Sequence, residues 1–249
     1  RNKKEVLTEL PDKIEQNMIL PFNDEEEKIY VANLAKANKK LQELYDIEGS
    51  DKMQILKLLT RLRQLCLEPR LVYDNIDQPS SKLKACMELI KTMQENKQKV
   101  LLFSSFTSVL DLIAEECQKA GITYYMLTGS TNKEDRRELV SRFQKDDTTL
   151  FLISLKAGGT GLNLTSAEVV IHFDPWWNVS AQNQATDRAY RIGQKNNVQV
   201  FNLVMKDSVE EKIIELQKRK KELADMFVEN NSGGLSQMSK EDILSLFTM

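Results

Sequence analysis

Two arginines, Arg188 and Arg191, lie in the run Gln184–Gln194, which reads Gln-Ala-Thr-Asp-Arg-Ala-Tyr-Arg-Ile-Gly-Gln. Gln184, Arg188 and Arg191 recur at i, i+4 and i+7, so a helix would carry all three on one face. Two planar, permanently charged guanidinium groups on one face could bind a single anion through paired hydrogen bonds. The alternative is a solvated polar face on which Asp187 and Arg188 make ordinary surface pairs, and the spacing alone favours this second interpretation.

Hydroxyl and glycine residues follow several predicted strands, where backbone N–H groups suit phosphate oxygens. Four segments follow the strands, Ser104–Thr107, Thr128–Ser130, Ser154–Asn163 and Asp174–Trp177, and the first three are rich in hydroxyl groups and glycine. The run Lys156-Ala157-Gly158-Gly159-Thr160-Gly161 has its lysine before the glycines, so it is neither a Walker-type phosphate loop nor a dinucleotide fingerprint. By itself the run is typical of a tight turn between a strand and a helix. A Walker-type loop is absent from the sequence, and no Asp-Glu pair follows a predicted strand to hold magnesium. The main cradle of an ATP site is therefore missing.

The composition limits the function classes. Hydrophobic residues make up 41% and charged residues 29%, which is typical of a protein with a real core. The net charge of −2 argues mildly against a freestanding nucleic-acid binder, so any DNA contact must rest on a local patch or on backbone N–H groups. The three separated cysteines predict no disulfide framework, and one histidine makes a zinc site unfavourable. No stretch is long enough for a membrane span, and the N-terminus lacks an apolar signal region, so we expect no membrane contact. The first residue is not Met, so we expect a fragment.

Three side chains that often carry chemistry are assigned to packing instead. His172 lies within an apolar run, so we interpret it as a core histidine with its hydrogen bonds satisfied. Trp176 and Trp177 could stack on bases. Adjacent tryptophans after a strand more often anchor a loop by packing, and that is the interpretation we prefer.

The elements that position these residues begin with two predicted helices. Asp24 and Glu27 have the spacing of a capping box, and apolar residues at helical intervals then continue to Tyr45. Gly49-Ser50-Asp51 breaks the pattern. A second apolar helical run, from Ile55 to Leu65, ends before Pro69. Two helices before any strand predict a protrusion on the main fold.

Short apolar runs then alternate with amphipathic helices. The predicted strands are Val100–Phe103, Ile122–Leu127, Leu150–Ile153, Val169–Phe173 and Val198–Met205. Gly121 closes the helix after the first strand, Thr131 with Glu134 caps the next, and another helix covers Ala181 to Arg191. A capping box at Ser208 and Glu211 starts a long charged tail helix, followed by a break over Asn230–Gln237 and a short helix over Ser239–Phe247. This alternation predicts an α/β fold with a doubly wound, mostly parallel sheet.

Several of these strings resemble the Swi/Snf-type ATPases, a branch of helicase superfamily two. The run Gln184–Gln194 resembles the last helicase motif of that family, Ser154–Leu164 the preceding motif, and Asp174–Asn178 the segment that links them. Leu62–Cys66 with Pro69 resembles the helical protrusion, Val100–Phe106 the first motif of the second lobe, and Val209–Val228 the brace helix. Tyr190 stands where many members carry histidine, and Val179 where proline is common. These departures favour a bacterial member.

The resemblance implies the second RecA-like lobe of a two-lobed motor. It divides the chain into a lead-in from the missing first lobe (1–22), a helical protrusion (23–79), the lobe itself (80–206), and a brace helix with tail (207–249). The first lobe of the same chain would hold most of the ATP and its Mg²⁺. The partners implied are double-stranded DNA, contacted along its backbone, and a DNA-bound protein target. The location would be cytoplasmic and nucleoid-associated in a bacterium, or nuclear in a eukaryote.

The resemblance also assigns roles to individual residues. Arg188 and Arg191 match the arginine fingers, the catalytic residues of this lobe. The nucleotide-binding positions are Gly159, Gly161, Gln184 and Asp187. The DNA-backbone positions are Ser104, Thr107, Thr128, Ser154 and Lys156. A fragment without the first lobe is expected to hydrolyse no ATP. Two alternatives remain open, a non-enzymatic interaction module on a helicase-like scaffold and a lobe of an RNA helicase.

Overall fold

The computed structural model describes residues 10–45, 52–158, 161–226 and 245–247. Within these ranges the chain forms six strands: β1 (Lys13–Leu20), β2 (Val100–Ser104), β3 (Tyr124–Leu127), β4 (Leu150–Ser154), β5 (Val169–His172) and β6 (Val198–Met205). It also forms eight α-helices: α1 (Asp24–Tyr45), α2 (Lys52–Leu67), α3 (Ser81–Glu95), α4 (Thr107–Lys119), α5 (Lys133–Lys145), α6 (Leu155–Gly158), α7 (Val179–Thr186) and α8 (Val209–Met226). Among the described helices, none is long and apolar enough to span a bilayer.

All six strands belong to one parallel sheet with the order β1-β6-β5-β2-β4-β3. The central strand β2 pairs with β4 on one side and with β5 on the other. The N–H groups of Val198 and Lys206 donate to the carbonyls of Asp12 and Leu20, so β1 runs parallel to β6. The predicted doubly wound α/β fold is confirmed, and the sheet is entirely parallel.

The strands β2, β4 and β5 are buried along their whole length, which is the pattern of a parallel sheet covered on both faces. Alternate side chains of these strands, such as Leu101, Phe151 and Val170, belong to a core that also contains Phe143 from α5 and Ala185 from α7. Because parallel strands end at the same edge, the loops that follow β2, β4 and β5 meet there.

The chain divides into two compact units. The sheet unit contains residues 10–18 and 85–203, and the helical unit contains residues 19–84 and 204–247 among those described. The tail helix α8 is therefore part of the same unit as α1 and α2. The domain boundaries implied by the resemblance treat the protrusion and the tail as separate segments, and those boundaries stay predictions.

The strand β1 was not predicted, because the sequence suggested two helices before any strand. Its residues Lys13-Ile14-Glu15-Gln16-Asn17 are mostly polar, and Ile14 is 56% exposed. An edge strand has one unpaired side and needs no continuous apolar run, so its sequence carries little strand signal.

Two predicted caps are displaced by one residue. Asn23, not Asp24, caps α1: its Oδ1 accepts from the N–H groups of Glu25 and Glu26, and Glu26 reaches back to the Asn23 N–H at 3.3 Å. Asn132, not Thr131, caps α5 by accepting from the N–H groups of Glu134 and Asp135.

Other predicted boundaries also change. The strand predicted from Ile122 begins at Tyr124. Gly121, between α4 and this strand, has φ +67° and follows the end of the helix, as predicted for a C-terminal glycine. The predicted break at 49–51, the break over 230–237 and most of the predicted helix over 239–247 lie outside the described residues.

Candidate functional site

The two candidate finger arginines follow α7 and are not part of it. The predicted helix over Ala181 to Arg191 ends at Thr186, and Arg188 and Arg191 lie in a succession of turns. The Arg188 N–H donates to Ala185, and the Arg191 N–H donates to Ala189 at 3.2 Å. The shared-face argument based on one continuous helix is therefore wrong, although the turns still bring the two arginines together.

Two other arginines act electrostatically on Arg188. Arg188 is half-buried and Arg191 is exposed. Partial burial lowers the pKa of Arg188, the positive charges of Arg191 and Arg136 lower it further, and the carboxylate of Asp187 acts in the opposite direction. Positive charges that act on a half-buried guanidinium group suit the binding of an anion with several oxygens, such as a phosphate chain.

Arg136 is a candidate site residue that the sequence analysis missed. It lies one turn into α5, and its Nη2 donates to the carbonyl of Ala157 in α6. Its Nε is buried and makes no hydrogen bond to the described residues. The available signal was its place in the first turns of a helix that starts at the carboxyl end of β3, the edge at which ligands bind in such sheets.

Asp174 connects the loops after β2 and β5. Its Oδ1 accepts from the Ser104 hydroxyl at 2.7 Å and from the Ser105 N–H at 3.0 Å, and its Oδ2 accepts from the Ser105 hydroxyl. The Ser104 hydroxyl in turn accepts from the Phe106 N–H. Ser104 is only 2% exposed and its hydroxyl is held by Asp174, while its contact with DNA stays a prediction.

The other predicted DNA-backbone residues differ in accessibility. Ser154 is 4% exposed and its Oγ has no partner among the described residues, so its side chain does not reach the surface. Thr107, the first residue of α4, and Lys156 in α6 are exposed. Thr128 is half-buried, and its hydroxyl lies 2.8 Å from that of Ser130. Thr107, Thr128 and Lys156 therefore present the accessible side chains of this set.

Three of the four predicted nucleotide-binding residues lie in segments connected to the arginine turns. Gln184 is exposed on α7, and Asp187 is the C-cap of that helix. Gly161 has φ +51°, a conformation that favours glycine, whereas Gly159 lies outside the described residues. The Leu164 N–H donates to the Arg188 carbonyl at 3.0 Å, which ties the segment after Gly161 to the arginine turns.

Gln194 holds the end of the arginine turns in place. Its Nε2 donates to the carbonyls of Ala167 at 2.8 Å and Ala189 at 3.2 Å, and its Oε1 accepts from the N–H groups of Lys195 and Asn196. All four contacts are made by one buried side chain. The final glutamine of the motif is thus a positioning residue and not a ligand.

Hydrogen bonds of the buried side chains Gln182 and Asn202 also fix the position of α7. The Gln182 Nε2 donates to the Asn202 Oδ1 at 3.0 Å, and Asn202 donates to Glu15 and Asn17 of β1. The Gln182 Oε1 accepts from the N–H of Trp176. These contacts link α7 to both β6 and the edge strand.

His172 and Trp176 have the packing roles that we preferred for them. His172 is buried, lies 2.9 Å from the Thr186 hydroxyl and stacks on Phe103. Burial lowers the pKa of His172 to about 4, so the ring is neutral in the folded protein. Trp176 is partly buried against the core of the sheet unit.

Comparison with known proteins agrees with this architecture. The family model described as the helicase conserved C-terminal domain matches residues 81–193, and the SNF2-related domain model matches residues 1–71. An uncharacterised ATP-dependent helicase of Mycoplasma pneumoniae is 37% identical over 248 residues, which are 99% of this chain and 24% of that protein. The chain spans about a quarter of the length of the curated relatives it matches.

Two solved structures from Sulfolobus solfataricus share the fold. The SWI2/SNF2 ATPase C-terminal domain superimposes with a TM-score of 0.75 at 28% identity, covering 94% of this chain and 98% of that one. The SWI2/SNF2 ATPase core in complex with double-stranded DNA has a TM-score of 0.75 at 31% identity, covering 95% of this chain and 50% of that one. The chain therefore belongs to the Swi/Snf-type ATPases of helicase superfamily two and has the fold of their C-terminal, RecA-like lobe.

Proposed function

We propose that this chain is the second motor lobe of an ATP-dependent translocase that moves along double-stranded DNA. The observation that carries the proposal is that Arg136 and Arg191 both act electrostatically on half-buried Arg188, while the Arg188 carbonyl accepts from the Leu164 N–H and Arg136 holds the Ala157 carbonyl of α6. The M. pneumoniae relative is described as ATP-dependent, and the related S. solfataricus core is in complex with double-stranded DNA. Both features agree with an anion site that serves nucleotide phosphates and with a separate surface for DNA.

Arg188 and Arg191 are the proposed arginine fingers. Phosphoryl transfer is catalysed mainly by positioning and by stabilising charge on the transferred group, and one finger contributes roughly 10³–10⁵ in rate. The chain's own cationic residues fit phosphate oxygens. The described residues contain no cluster of acidic or histidine side chains able to hold a metal ion. We therefore place the ligands of Mg²⁺, which neutralises phosphate charge when bound, on the first lobe, together with most of the ATP site.

Gln184 and Asp187 flank the proposed fingers. We assign Gln184 to orienting Arg188 or the phosphate, since it is exposed one turn before that arginine. Asp187 opposes the lowering of the Arg188 pKa, so its carboxylate stabilises the charged finger before nucleotide arrives. Gly161, and Gly159 by its place in the motif, would let the backbone approach the nucleotide.

The proposed DNA contacts are made to the backbone by Thr107, Thr128 and Lys156. Such contacts position a protein on the duplex without reading bases, which suits a motor that must release and rebind any sequence. Lys156→Ala in the full-length protein should weaken duplex binding about equally for unrelated sequences and reduce the salt dependence. A variant that changed sequence preference would show that this turn reads bases, contrary to the proposal.

The test of the proposed function is steady-state ATP hydrolysis by the full-length protein and by the isolated chain, with the fold of the latter verified by circular dichroism. We expect hydrolysis only in the full-length protein, stimulated by duplex DNA more than by duplex RNA. Stimulation by RNA alone would support the RNA helicase alternative. Hydrolysis by the isolated chain that disappears in Arg188→Ala would contradict the half-motor proposal.

The interaction-module alternative predicts a different result. A decayed motor would show no duplex-stimulated hydrolysis even at full length, and Arg188→Ala would change nothing. The retention of Arg188, Arg191 and the supporting contacts of Gln194 favours the motor, because a docking surface would not need them.

A further inference from the structure

The helices α1 and α2 of the helical unit carry a positive surface that the proposed ATP and DNA sites do not use. Residues 28–42 of α1 contain four lysines and no Asp or Glu. Residues 52–67 of α2 contain two lysines and two arginines and no Asp or Glu, and of these Arg63 is buried. The net charge of the whole chain is −2, so this local excess does not follow from a basic composition. A basic stripe on an otherwise acidic chain is the electrostatic signature of a polyanion site.

Three of these cations surround one cavity between α1 and α2. Its volume is about 290 Å³, and its polar rim includes Lys36, Lys40 and Arg61. Ala37, Leu58 and Leu62 supply apolar lining. Lys36 and Lys40 are four residues apart on α1, so they lie on the same face. Cationic groups around an apolar floor fit a ligand that alternates charged phosphates with apolar sugar faces.

Arg61 is fixed in position before any ligand arrives. Its Nε donates to the Asn33 Oδ1 at 3.1 Å, its Nη2 donates to the Tyr73 hydroxyl at 3.2 Å, and its Cζ lies 5.3 Å from the centre of the Tyr73 ring. Asn33 is anchored in turn by donating to the Ile29 carbonyl at 2.7 Å. The Arg61 Nη1 makes no hydrogen bond to the described residues. A fixed guanidinium loses less conformational entropy when it binds an anion.

The lysines are less constrained. Lys40 pairs with Glu43 at 3.0 Å, but both side chains are about half exposed, so the pair is weak and readily exchanged for a phosphate. Lys36 is exposed and forms no ion pair with the described residues. Lys39 and Lys57 are exposed and extend the positive surface beyond the cavity. The positive charge of the whole surface is therefore larger than the binding of one carboxylate would require.

We propose that the cavity lined by Lys36, Lys40 and Arg61 is a second phosphate-binding surface that holds the backbone of double-stranded DNA. An acidic protein segment is also a polyanion and could bind the same cations. The choice of duplex DNA as the ligand rests on the proposed function, because a motor that moves along duplex DNA must contact its backbone. The binding is independent of sequence, because phosphates are contacted and bases are not.

The test is duplex binding by the full-length protein without nucleotide, measured over a range of salt concentrations. The triple variant Lys36→Gln/Lys40→Gln/Arg61→Gln should bind at least tenfold more weakly at low salt. The slope of log affinity against log salt should fall by about 2 to 3, since each lost phosphate contact removes about 0.9. The matched control Lys84→Gln/Lys91→Gln/Lys119→Gln removes the same charge from exposed positions on other helices and should change the slope by less than about one contact.

Further arms separate the outcomes. Lys36→Gln/Lys40→Gln, which leaves the contacts of Arg61 with Asn33 and Tyr73 in place, should give most of the effect if folding is not the cause. On duplex binding, Lys36 and Lys40 should become protected from acetylation, while Lys84 and Lys91 stay reactive. The proposal would be overturned if the cavity variants and the control variant gave equal slopes of log affinity against log salt. It would also be overturned if the cavity variants lost binding to poly-glutamate, used as a model acidic peptide, while their binding to duplex DNA was unchanged. If Lys156→Ala weakened duplex binding and the cavity variants did not, the proposed function would stand and only the second DNA surface would be ruled out.

Discussion

At the scale of single residues, Arg136 connects the turn that carries Lys156 with the arginine cluster. Its Nη2 holds the Ala157 carbonyl in α6, and its positive charge contributes to lowering the pKa of Arg188. One side chain thus contacts the turn proposed to bind DNA and acts electrostatically on the arginine proposed to bind nucleotide. We assign it as a positioning residue.

Arg136→Ala should lower kcat of the full-length protein roughly tenfold and also weaken duplex binding, because small displacements of catalytic and binding groups have large kinetic effects. The matched control is Arg137→Ala, which removes the same charge from an exposed neighbour on α5 and should leave both quantities near wild type. Equal behaviour of the two variants would show that the contact with Ala157 has no functional consequence.

His172 gives the sheet unit a predictable dependence on pH. Burial lowers the pKa of His172 to about 4 from an ordinary value of 6.5, so between these values the unfolded chain binds a proton that the folded chain does not. Stability is therefore lost as pH falls through 6.5 and the loss is complete near pH 4. From pH 7.5 to 5.0 the free energy of unfolding should fall by about 2 kcal/mol from this residue.

The measurement is urea denaturation at both pH values for the wild type and for His172→Gln. Glutamine does not titrate, so the variant should show a smaller loss across this range than the wild type. Identical losses would mean that other groups dominate and that His172 is not kept neutral by the fold.

At the scale of the site, sequence reasoning identified residues adjacent along the chain and missed those brought in by folding. Arg188 and Arg191 could be predicted because one motif contains both. Arg136 could not, since only the placement of α5 beside α6 brings it to Ala157. Ser104 has a hydroxyl suited to a phosphate, but the sequence does not reveal that Asp174, 70 residues away, accepts from it.

At the scale of elements, α3 and α8 are joined within the helical unit by a buried ion pair. The Lys82 Nζ lies 2.7 Å from both carboxylate oxygens of Glu210, and both side chains are fully buried. Glu210 also accepts from the Met205 N–H at 2.8 Å. A buried charge deprived of its partner is strongly destabilising, whereas removal of both charges is much less so.

Lys82→Met should therefore lower the free energy of unfolding by about 3–5 kcal/mol, and Lys82→Met/Glu210→Gln by clearly less. Lys212→Met is the matched control, because Lys212 pairs with Glu215 at 3.7 Å on the solvent-accessible side of α8 and should change stability by less than about 1 kcal/mol. Urea denaturation of the three variants gives the comparison. A double variant as unstable as Lys82→Met would show that lost packing, and not the unpaired charge, sets the cost.

The elements differ in how far the sequence determines them. The buried strands β2, β4 and β5 are continuous apolar runs, and they were predicted within about one residue. The edge strand β1 is polar and depends on β6 for its hydrogen bonds, so local pattern does not reveal it. The helix α7 ends early at Thr186, where the chain turns and the carbonyl of Arg188 accepts from Leu164, a contact that no helical periodicity can indicate.

At the scale of the whole molecule, the net charge of −2 conceals two local concentrations of positive charge. One is the cluster of Arg136, Arg188 and Arg191 in the sheet unit, and the other is the basic surface of α1 and α2 in the helical unit. Each unit would then contact a polyanion by itself. Nucleotide phosphates are assigned to Arg188 and Arg191, and DNA-backbone contacts are assigned to both units: to Thr107, Thr128 and Lys156 in the sheet unit and to the basic surface in the helical unit.

The central claim is that Arg188 and Arg191 act on the transition state of ATP hydrolysis when a first lobe presents the nucleotide. The most direct test is kcat of the full-length protein with saturating duplex DNA, beside nucleotide affinity, for Arg188→Ala and Arg191→Ala with Arg137→Ala as control. Either finger variant should lower kcat roughly 10²-fold or more and change nucleotide affinity by only a few-fold. Lysine should rescue either position poorly, and the double variant should be little worse than the worse single one. Turnover near the wild-type rate in both finger variants would contradict this role, and the arginines would then be only part of a solvated surface.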